Sequence, residues 1–578
     1  VGDSEDIDRM RRSQRKEFLM TTYTGASLKE PDTFEEAMNC PQWAEAALSE
    51  AAQLWDLGVI EEVEYDPKEH RRVITSKWVW KLKRGADGSI AKWKARITAR
   101  GFQPALPDFD VFATVARLES FRLLMTIAIL FGKHIATDDV KGAFLKASVP
   151  DDMPIYVEPP PGLQSRSRNG RRVIWKLKKA LYGLKEAPKL WQEELKALML
   201  AQHFKQMKSD PSVFVKRDAQ KDEFLIVATW VDDLFIVGDE KLMRNFRQEL
   251  HRSFGCQDQE EIDTVREYLG IRISKTKWGV ALDQEARIIA LTSMMETLIG
   301  NQRLTKGKST PLRVGQELRR PMNPNDGNDT YPLYKSAVAS VLYLSRCTRP
   351  DISFAAAVLS RALDRPSAEH WAALKHLICY LHRTKGYRLW IRKEPTAKKC
   401  AEVKLKISQR VLNMEVFADS SWANGDQRKS IGGHVFMIGE NLVAWQSKQQ
   451  SLLAASSAEA EYIQAAEAVK EVRFYRQQIA ELGFNLGGPT ILHEDNEACI
   501  AIATRGEQFR PRTKHFDLRI HMVRDACSRG QVSLTHVGTE DQLADPLTKS
   551  LPRETLDRHR KSWGLLTIEE IESLESND

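Results

Sequence analysis

Two apolar runs, Phe224 to Val227 and Leu234 to Val237, flank a short polar centre that holds Asp232 and Asp233. The pattern predicts a β-hairpin over EFLIVATWVDDLFIVGD, with the acidic pair at or beside its turn. Upstream, Ala37, Trp43, Ala46, Leu48, Ala51 and Trp55 recur at helical spacing between Thr33 and Gly58. VITSKWVWKLKR and SIAKWKARITARGF then predict two strands joined by the turn signal GADG. Leu118 to Phe131 predicts a helix, and the apolar strand after it delivers Asp138 and Asp139. MPIYVEPPPGL reads as a short strand closed by prolines. The stretch from Val173 onward predicts a strand, a corner at Gly183 and an amphipathic helix starting near Pro188. Residues 260 to 300 suggest a helix, a hairpin and another helix, and 301 to 332 a linker rich in proline, asparagine and glycine. Tyr334 to Thr384 is helical in pattern. The final third predicts βββαβα and a last helix, a compact α/β domain with a long helix over Ser456 to Leu482.

Charge sharpens this picture. The net charge of the 578 residues is only +7, but basic residues concentrate between Lys68 and Arg100, where they alternate with Trp78, Trp80 and Trp93. Basic and aromatic residues on strands suit phosphates and bases, and equally describe a half-buried strand with a solvated face. The seven cysteines are scattered singly, without CxxC or zinc spacing, so reduced thiols are expected. His515 and His521 have no cysteine neighbours, which argues against zinc. The longest apolar run, Leu123 to Phe131, is too short for a bilayer, and no signal peptide opens the chain. A first residue of valine suggests a piece of a longer translation product. Residues 1 to 34 are charged, lack apolar periodicity and read as a linker or tail.

Two acidic constellations stand out. Asp139, Asp232 and Asp233 each lie at the end or turn of an apolar strand, where adjacent strands would bring them together. Three carboxylates of this kind can hold two divalent ions roughly 3.5–4 Å apart that activate a hydroxyl and neutralise a leaving pyrophosphate. An Asp-Asp turn between buried strands is the plainer alternative. Asp419, Glu459, Asp495 and Asp545 form the second set. Here too each has a plain role: Ser456 and Glu459 have capping-box spacing, Asp495 is placed to cap the next helix, Asp419 to turn a strand end, and Asp545 to carry surface charge.

The order DDVKGAF, ALYGLKEAP and WVDD resembles the palm of reverse transcriptases of the copia-type retrotransposon branch. KWVWKLKRGADGSIAKWKARITARGF, SDPSVFVKR, EYLGIRIS and YKSAVASVLYLSRCTRPDISFA agree with it. FADSSWA, SSAEAEY, HEDNEA and EDQLADPLTK resemble the ribonuclease H domain that follows such polymerases. The resemblance implies an α+β multidomain protein, a right-hand polymerase followed by an α/β ribonuclease H-like domain. Fingers and palm would span residues 35 to 275, a thumb and connection 276 to 411, the ribonuclease H domain 412 to 550, and a C-terminal tail 551 to 578. It further implies that Asp139, Asp232 and Asp233 ligate metal in the polymerase, and Asp419, Glu459, Asp495 and Asp545 in the nuclease. Each site would hold two Mg2+ ions, with Mn2+ as a substitute. Phe144 would be the steric gate under the incoming sugar, Tyr182 and Gly183 would lie against nucleotide and template, and Lys94 or Arg96 would touch the triphosphate. Trp230 stands where the family usually has tyrosine. RNA template, DNA primer, RNA–DNA hybrid and dNTPs are the implied partners, beside integrase and Gag portions of one polyprotein and no membrane. The implied setting is a cytoplasmic virus-like particle, with the product complex entering the nucleus. The rival reading is a domesticated or decayed copy that binds nucleic acid without catalysis.

Overall fold

The computed structural model describes residues 29–84, 90–102, 109–218, 220–255, 263–300, 304, 307–321, 331, 333–393, 411–504 and 517–577. The GADG turn, most of the amino-terminal tail, much of the 301–332 linker, Cys256, Cys400 and His515 lie outside these residues.

The element that positions the first carboxylates is an antiparallel sheet of five strands, in the order His134–Asp139, Asp233–Gly238, Glu223–Trp230, Val213–Asp218 and Lys205–Gln206. Its strands are apolar on both faces, and the period of two sorts them. Ile135, Phe224, Ile226, Phe235 and Val237 pack with the helix Leu118–Phe131 in one core. Ala136, Leu225, Val227, Leu234 and Ile236 face a second core with the helices Ala187–Ala201 and Glu240–Phe254. Buried helices therefore cover both sides of the central hairpin. The second core continues into a sheet ordered Ile60–Glu64, Val173–Leu177, Ile155–Glu158, Val73–Arg84 and Ile90–Ala99. The helix Pro41–Asp56 buries Trp43, Ala47, Ala51 and Leu54 in this region.

A third sheet joins Glu267–Tyr268, Ile271–Lys275, Gly279–Asp283, Arg388–Arg392 and Leu565–Leu566. Three expectations differ from the structure. The boundary at residue 275 falls inside a hairpin, since Ile271–Lys275 pairs with Gly279–Asp283. The expected tail 551–578 is packed structure over its described residues 551–577: the helix Arg553–Ser562 buries Leu556, Trp563 is fully buried, and Leu565–Leu566 pairs with Arg388–Leu389. The helix expected before the 267–283 hairpin does not occur among the described residues, where Glu240–Phe254 is the preceding helix.

The last sheet has the order Asn441–Gln449, Ile431–Ile438, Met414–Ser421, Thr490–Glu494 and Val532–His536. Its first three strands are antiparallel, and Thr490–Glu494 adds parallel to Met414–Ser421. The fifth strand, Val532–His536, was not expected. It is short and mostly exposed, so its alternation of Val532 and Leu534 with Ser533 and Thr535 runs over too few residues to mark a strand by itself. The long helix Ser457–Glu481 buries Tyr462, Ala465, Val469 and Val472 over this sheet. Among the described residues no helix is long and apolar enough to cross a membrane.

Candidate active sites

Register sets Asp139 beside Asp233 with Asp232 next to them, although the ligand oxygens of the three do not all lie within 4.8 Å of one another. Asp139 ends its strand directly opposite Asp233, and Asp233 is paired in turn with Trp230. Directly opposed residues on antiparallel strands project to one face with their Cβ atoms about 4.5–5.5 Å apart. Asp232 lies in the two-residue turn, where its carbonyl accepts from the Val140 N–H at 3.0 Å. The other turn residue, Val231, has φ 60°, a conformation that β-branched residues avoid at a cost of about 1–3 kcal/mol. Its carbonyl accepts a 2.6 Å hydrogen bond from the Trp191 indole, which helps hold the strained turn against the neighbouring helix.

Strand alternation gives the two adjacent aspartates different work. Asp138 is buried and takes a forked ion pair from Arg247, with Nη2–Oδ1 at 2.7 Å and Nε–Oδ2 at 3.0 Å. Asp139 faces the other way. Burial, then the charge of Asp232, raises its affinity for a proton, against the pull of Lys141, Lys83 and Lys94. Asp233 is pushed up to about 6 by burial and by Asp232 and Asp139. Half-buried carboxylates that repel one another, with only hard oxygen donors to offer, fit a divalent ion such as Mg2+.

The other expected residues of this region fall around the same point. Lys94 and Arg96 share the less buried face of the strand Ile90–Ala99, in register with Lys81 and Val79. The Arg96 guanidinium lies 4.7 Å from the centre of the Tyr182 ring, and Phe144 meets that ring edge-on at 6.0 Å. Burial pushes the Tyr182 hydroxyl up to about 12. Gly183 has φ +85°, and a Cβ there would lie 2.2 Å from the Ala99 carbonyl, so only glycine lets this corner approach the strand. The Ala99 N–H donates to the Tyr182 carbonyl at 2.7 Å. Trp230 is half-buried and packs against the core beneath the hairpin. Glu50 escaped the sequence reading: this buried carboxylate, on the helix Pro41–Asp56, accepts from the Ile97 N–H at 3.2 Å on the edge strand. Its only signal was a charge inside an apolar helical stripe.

The second site forms at the ends of two neighbouring parallel strands, the usual place for a ligand crevice in an α/β sheet. Ligand oxygens of Asp419, Asp495 and Asp545 lie within 4.8 Å of one another, and so do those of Glu461, Glu494 and Asp495. Asp419 is buried on Met414–Ser421 and accepts from the Thr548 hydroxyl. Asp545 sits in the single turn Asp545–Leu547, which Gln542 anchors by donating to the Ala418 carbonyl at 2.8 Å. Lys549 Nζ lies 2.9 Å from Asp545 Oδ1. That turn can approach because Gly433 faces Asp419 across the strands, where a Cβ would come within 2.6 Å of Leu547 Cβ. Burial and Asp419 push Asp545 up to about 7, and the same two causes raise Asp495.

Glu459 does not join this cluster. Its backbone N–H donates to Ser456 Oγ at 3.2 Å, and its own carboxylate accepts from the Ala455 N–H at 2.7 Å, which makes it a helix-capping residue. Glu461, two residues on and turned by roughly 200° about the helix axis, is the buried glutamate that meets Glu494 and Asp495. Burial and then Asp419 drive its carboxyl far above the usual range.

The reverse transcriptase (RNA-dependent DNA polymerase) family matches residues 60–306. The retrovirus-related Pol polyprotein from transposon TNT 1-94 of Nicotiana tabacum is 31% identical over 574 residues, covering 96% of this chain and 41% of that protein. The corresponding polyprotein from transposon RE1 of Arabidopsis thaliana is 30% identical over 94% of this chain and 35% of its own length. The putative transposon Ty5-1 protein of Saccharomyces cerevisiae is 31% identical over its entire length and 58% of this chain. The chain thus spans well under half the length of the plant relatives it matches.

Proposed function

Since the chain belongs to the copia-type retrotransposon Pol family of reverse transcriptases, we propose that it is an RNA-directed DNA polymerase that also cleaves the RNA strand of RNA–DNA hybrids. The observation that carries the polymerase reading is the register Asp139 opposite Asp233, with Asp232 in the adjoining turn. Bound there, Mg2+ would activate the primer hydroxyl and neutralise the leaving pyrophosphate. Asp139, Asp232 and Asp233 hold that charge. Arg96, stacked on Tyr182, and Lys94, whose proton affinity is lowered by burial and by Arg96, meet the triphosphate. Phe144 packs beneath the sugar, and Trp230 lies beside the primer end. The first two sheets serve as fingers and palm.

The convergence of Asp419, Asp495 and Asp545, with Glu461 beside them, supports the nuclease reading. These acids are buried, Asp495 half so, mutually repelling and made only of oxygen donors, so they fit Mg2+ or Mn2+. There the metal would supply an activated water against an RNA phosphodiester. Thr548 orients Asp419, and Lys549 holds Asp545. Glu461 replaces Glu459 in this assignment. RNA template, DNA primer and dNTPs are the substrates; Gag and integrase portions of one polyprotein, in a cytoplasmic particle, are the companions. The test is extension of a DNA primer on an RNA template with magnesium, following both strands on one gel. Primer extension with RNA shortening is expected. A folded protein that binds the hybrid and does neither would make it a decayed, non-catalytic copy.

A further inference from the structure

Glu494 ends the strand Thr490–Glu494 and is 0% exposed. Full burial of a glutamate is rare unless a positive group meets it. Its Oε1 accepts from the Asn496 N–H at 3.2 Å, while Oε2 meets no N–H or O–H donor among the described residues, and the Cys499 thiol is the polar group beside this carboxylate. Glu461, 6% exposed, likewise has an Oε2 without a donor. Two buried acids, each with an oxygen that no N–H or O–H reaches, thus converge with Asp495, one ligand oxygen of each residue lying within 4.8 Å of the others. Oxygens bound to one Mg2+ or Ca2+ at about 2.1–2.5 Å lie at most about 4–5 Å apart. The spread is that of a single coordination sphere. Asp495 also belongs to the set with Asp419 and Asp545, so the two sets meet at one carboxylate.

We propose that Glu494 is a fifth carboxylate of this centre, forming with Glu461 and Asp495 a cation position beside the one framed by Asp419, Asp495 and Asp545. The proposal rests on the nuclease reading for its setting, but its ligands are a matter of binding alone. A hard divalent cation is the ligand class, because all donors are oxygens and no nitrogen or sulfur side chain belongs to the set. The cation supplies the counter-charge that buried Glu461 and Glu494 otherwise lack.

The probe is Mn2+ alone, counted by its paramagnetic resonance signal in the full chain, with thermal melting in parallel. Glu494→Gln keeps shape and removes charge. It should bind one Mn2+ fewer than the unsubstituted protein, melt higher without metal, and gain less on adding Mn2+. An unchanged count with an unchanged manganese-induced shift would overturn the proposal and leave Glu494 as a buried structural acid. Should Glu494→Gln fail to fold, Glu494→Asp keeps the charge on a shorter arm and should bind the same number with about tenfold weaker affinity at one position; equal affinities would overturn the proposal equally. Hybrid cleavage by the unsubstituted protein separates the two readings. Loss of one Mn2+ in Glu494→Gln when the parent cleaves no hybrid retires the nuclease and supports the site. Cleavage by the parent with an unchanged count retires the site alone.

Discussion

Arg122 lies where three parts of the chain meet, and replacing it with methionine should loosen all of them. Its guanidinium, 1% exposed, donates from Nε to the Val443 carbonyl at 2.6 Å and from Nη1 to those of Arg346 at 2.6 Å and Cys347 at 3.1 Å. It lies 4.1 Å from the centre of the Trp445 ring, and its nearest anion, Glu119, is 3.7 Å away. A helix under the first carboxylates is thereby tied both to the helix Tyr334–Cys347 and to the sheet of the second site. Arg122→Met keeps the aliphatic stem but strands three carbonyls. Charge-assisted hydrogen bonds contribute about 1.5–3 kcal/mol each. Against their loss stands the relief of a buried charge, itself several kcal/mol. The carbonyls cannot find water in this packed core, so their loss outweighs that relief, and the net cost should be about 3 kcal/mol. That is a large part of the roughly 5–15 kcal/mol that holds a typical protein together. Urea unfolding followed by tryptophan fluorescence measures it, with Trp445 beside the substitution. Arg122→Lys should not rescue, because an ammonium cannot reproduce the planar fork. A loss below about 1 kcal/mol in the methionine variant, or full rescue by lysine, would refute the reasoning.

Asp139→Asn should abolish primer extension and spare cleavage of a preformed hybrid, while Glu461→Gln should do the reverse; loss of both activities in either folded variant, seen on the same gel, would contradict two separate sites. Glu459→Gln keeps the acceptor that the Ala455 N–H uses and should change stability by no more than about 0.5 kcal/mol and leave cleavage within a few-fold, measured by melting and by hybrid turnover. His434 is buried and pushed down to about 4 by that burial, so the unfolded chain binds the extra proton between about pH 6.5 and 4 and stability falls as pH drops through that window; the loss, on the order of 3 kcal/mol, should shrink in His434→Gln in melts taken across it. Phe144→Val should raise ribonucleotide incorporation relative to deoxynucleotide about tenfold to a hundredfold, and single-nucleotide extension in which both rates fall together would make Phe144 packing only.

Much of the fold is written in periodicity that local physics obeys. Leu118–Phe131 emerges with the expected ends because its apolar face is long and Gly132, at φ 62°, stops it in the left-handed region. The hairpin around Asp232 and Asp233 is legible for the same reason, since both its strands are buried on both faces. What escaped depends on distant partners. Val532–His536 alternates apolar and polar residues over only five positions, too short a run to specify a strand until Thr490–Glu494 offers it an edge. The segment after residue 551 folds because Trp563 and Leu565 find the sheet containing Arg388–Arg392, some 170 residues earlier.

The choice between Glu459 and Glu461 shows where motif spacing stops and packing begins. SSAEAEY offers two glutamates, and capping-box spacing draws the eye to the first. That spacing itself argues against a metal role, since a carboxylate that accepts from a main-chain N–H at a helix start, here that of Ala455, is already engaged there. Glu461 stands at the head of a helical stripe, Ala465, Ala468, Val472 and Tyr475, every member of which is buried. An acid at the end of an apolar stripe must be buried with it, and an uncompensated buried acid requires a proton or a cation. The same rule singles out Glu50 behind the basic hairpin and Glu494 beside Asp495. In this chain, acids within apolar periodicity point to sites more sharply than acids in conspicuous pairs.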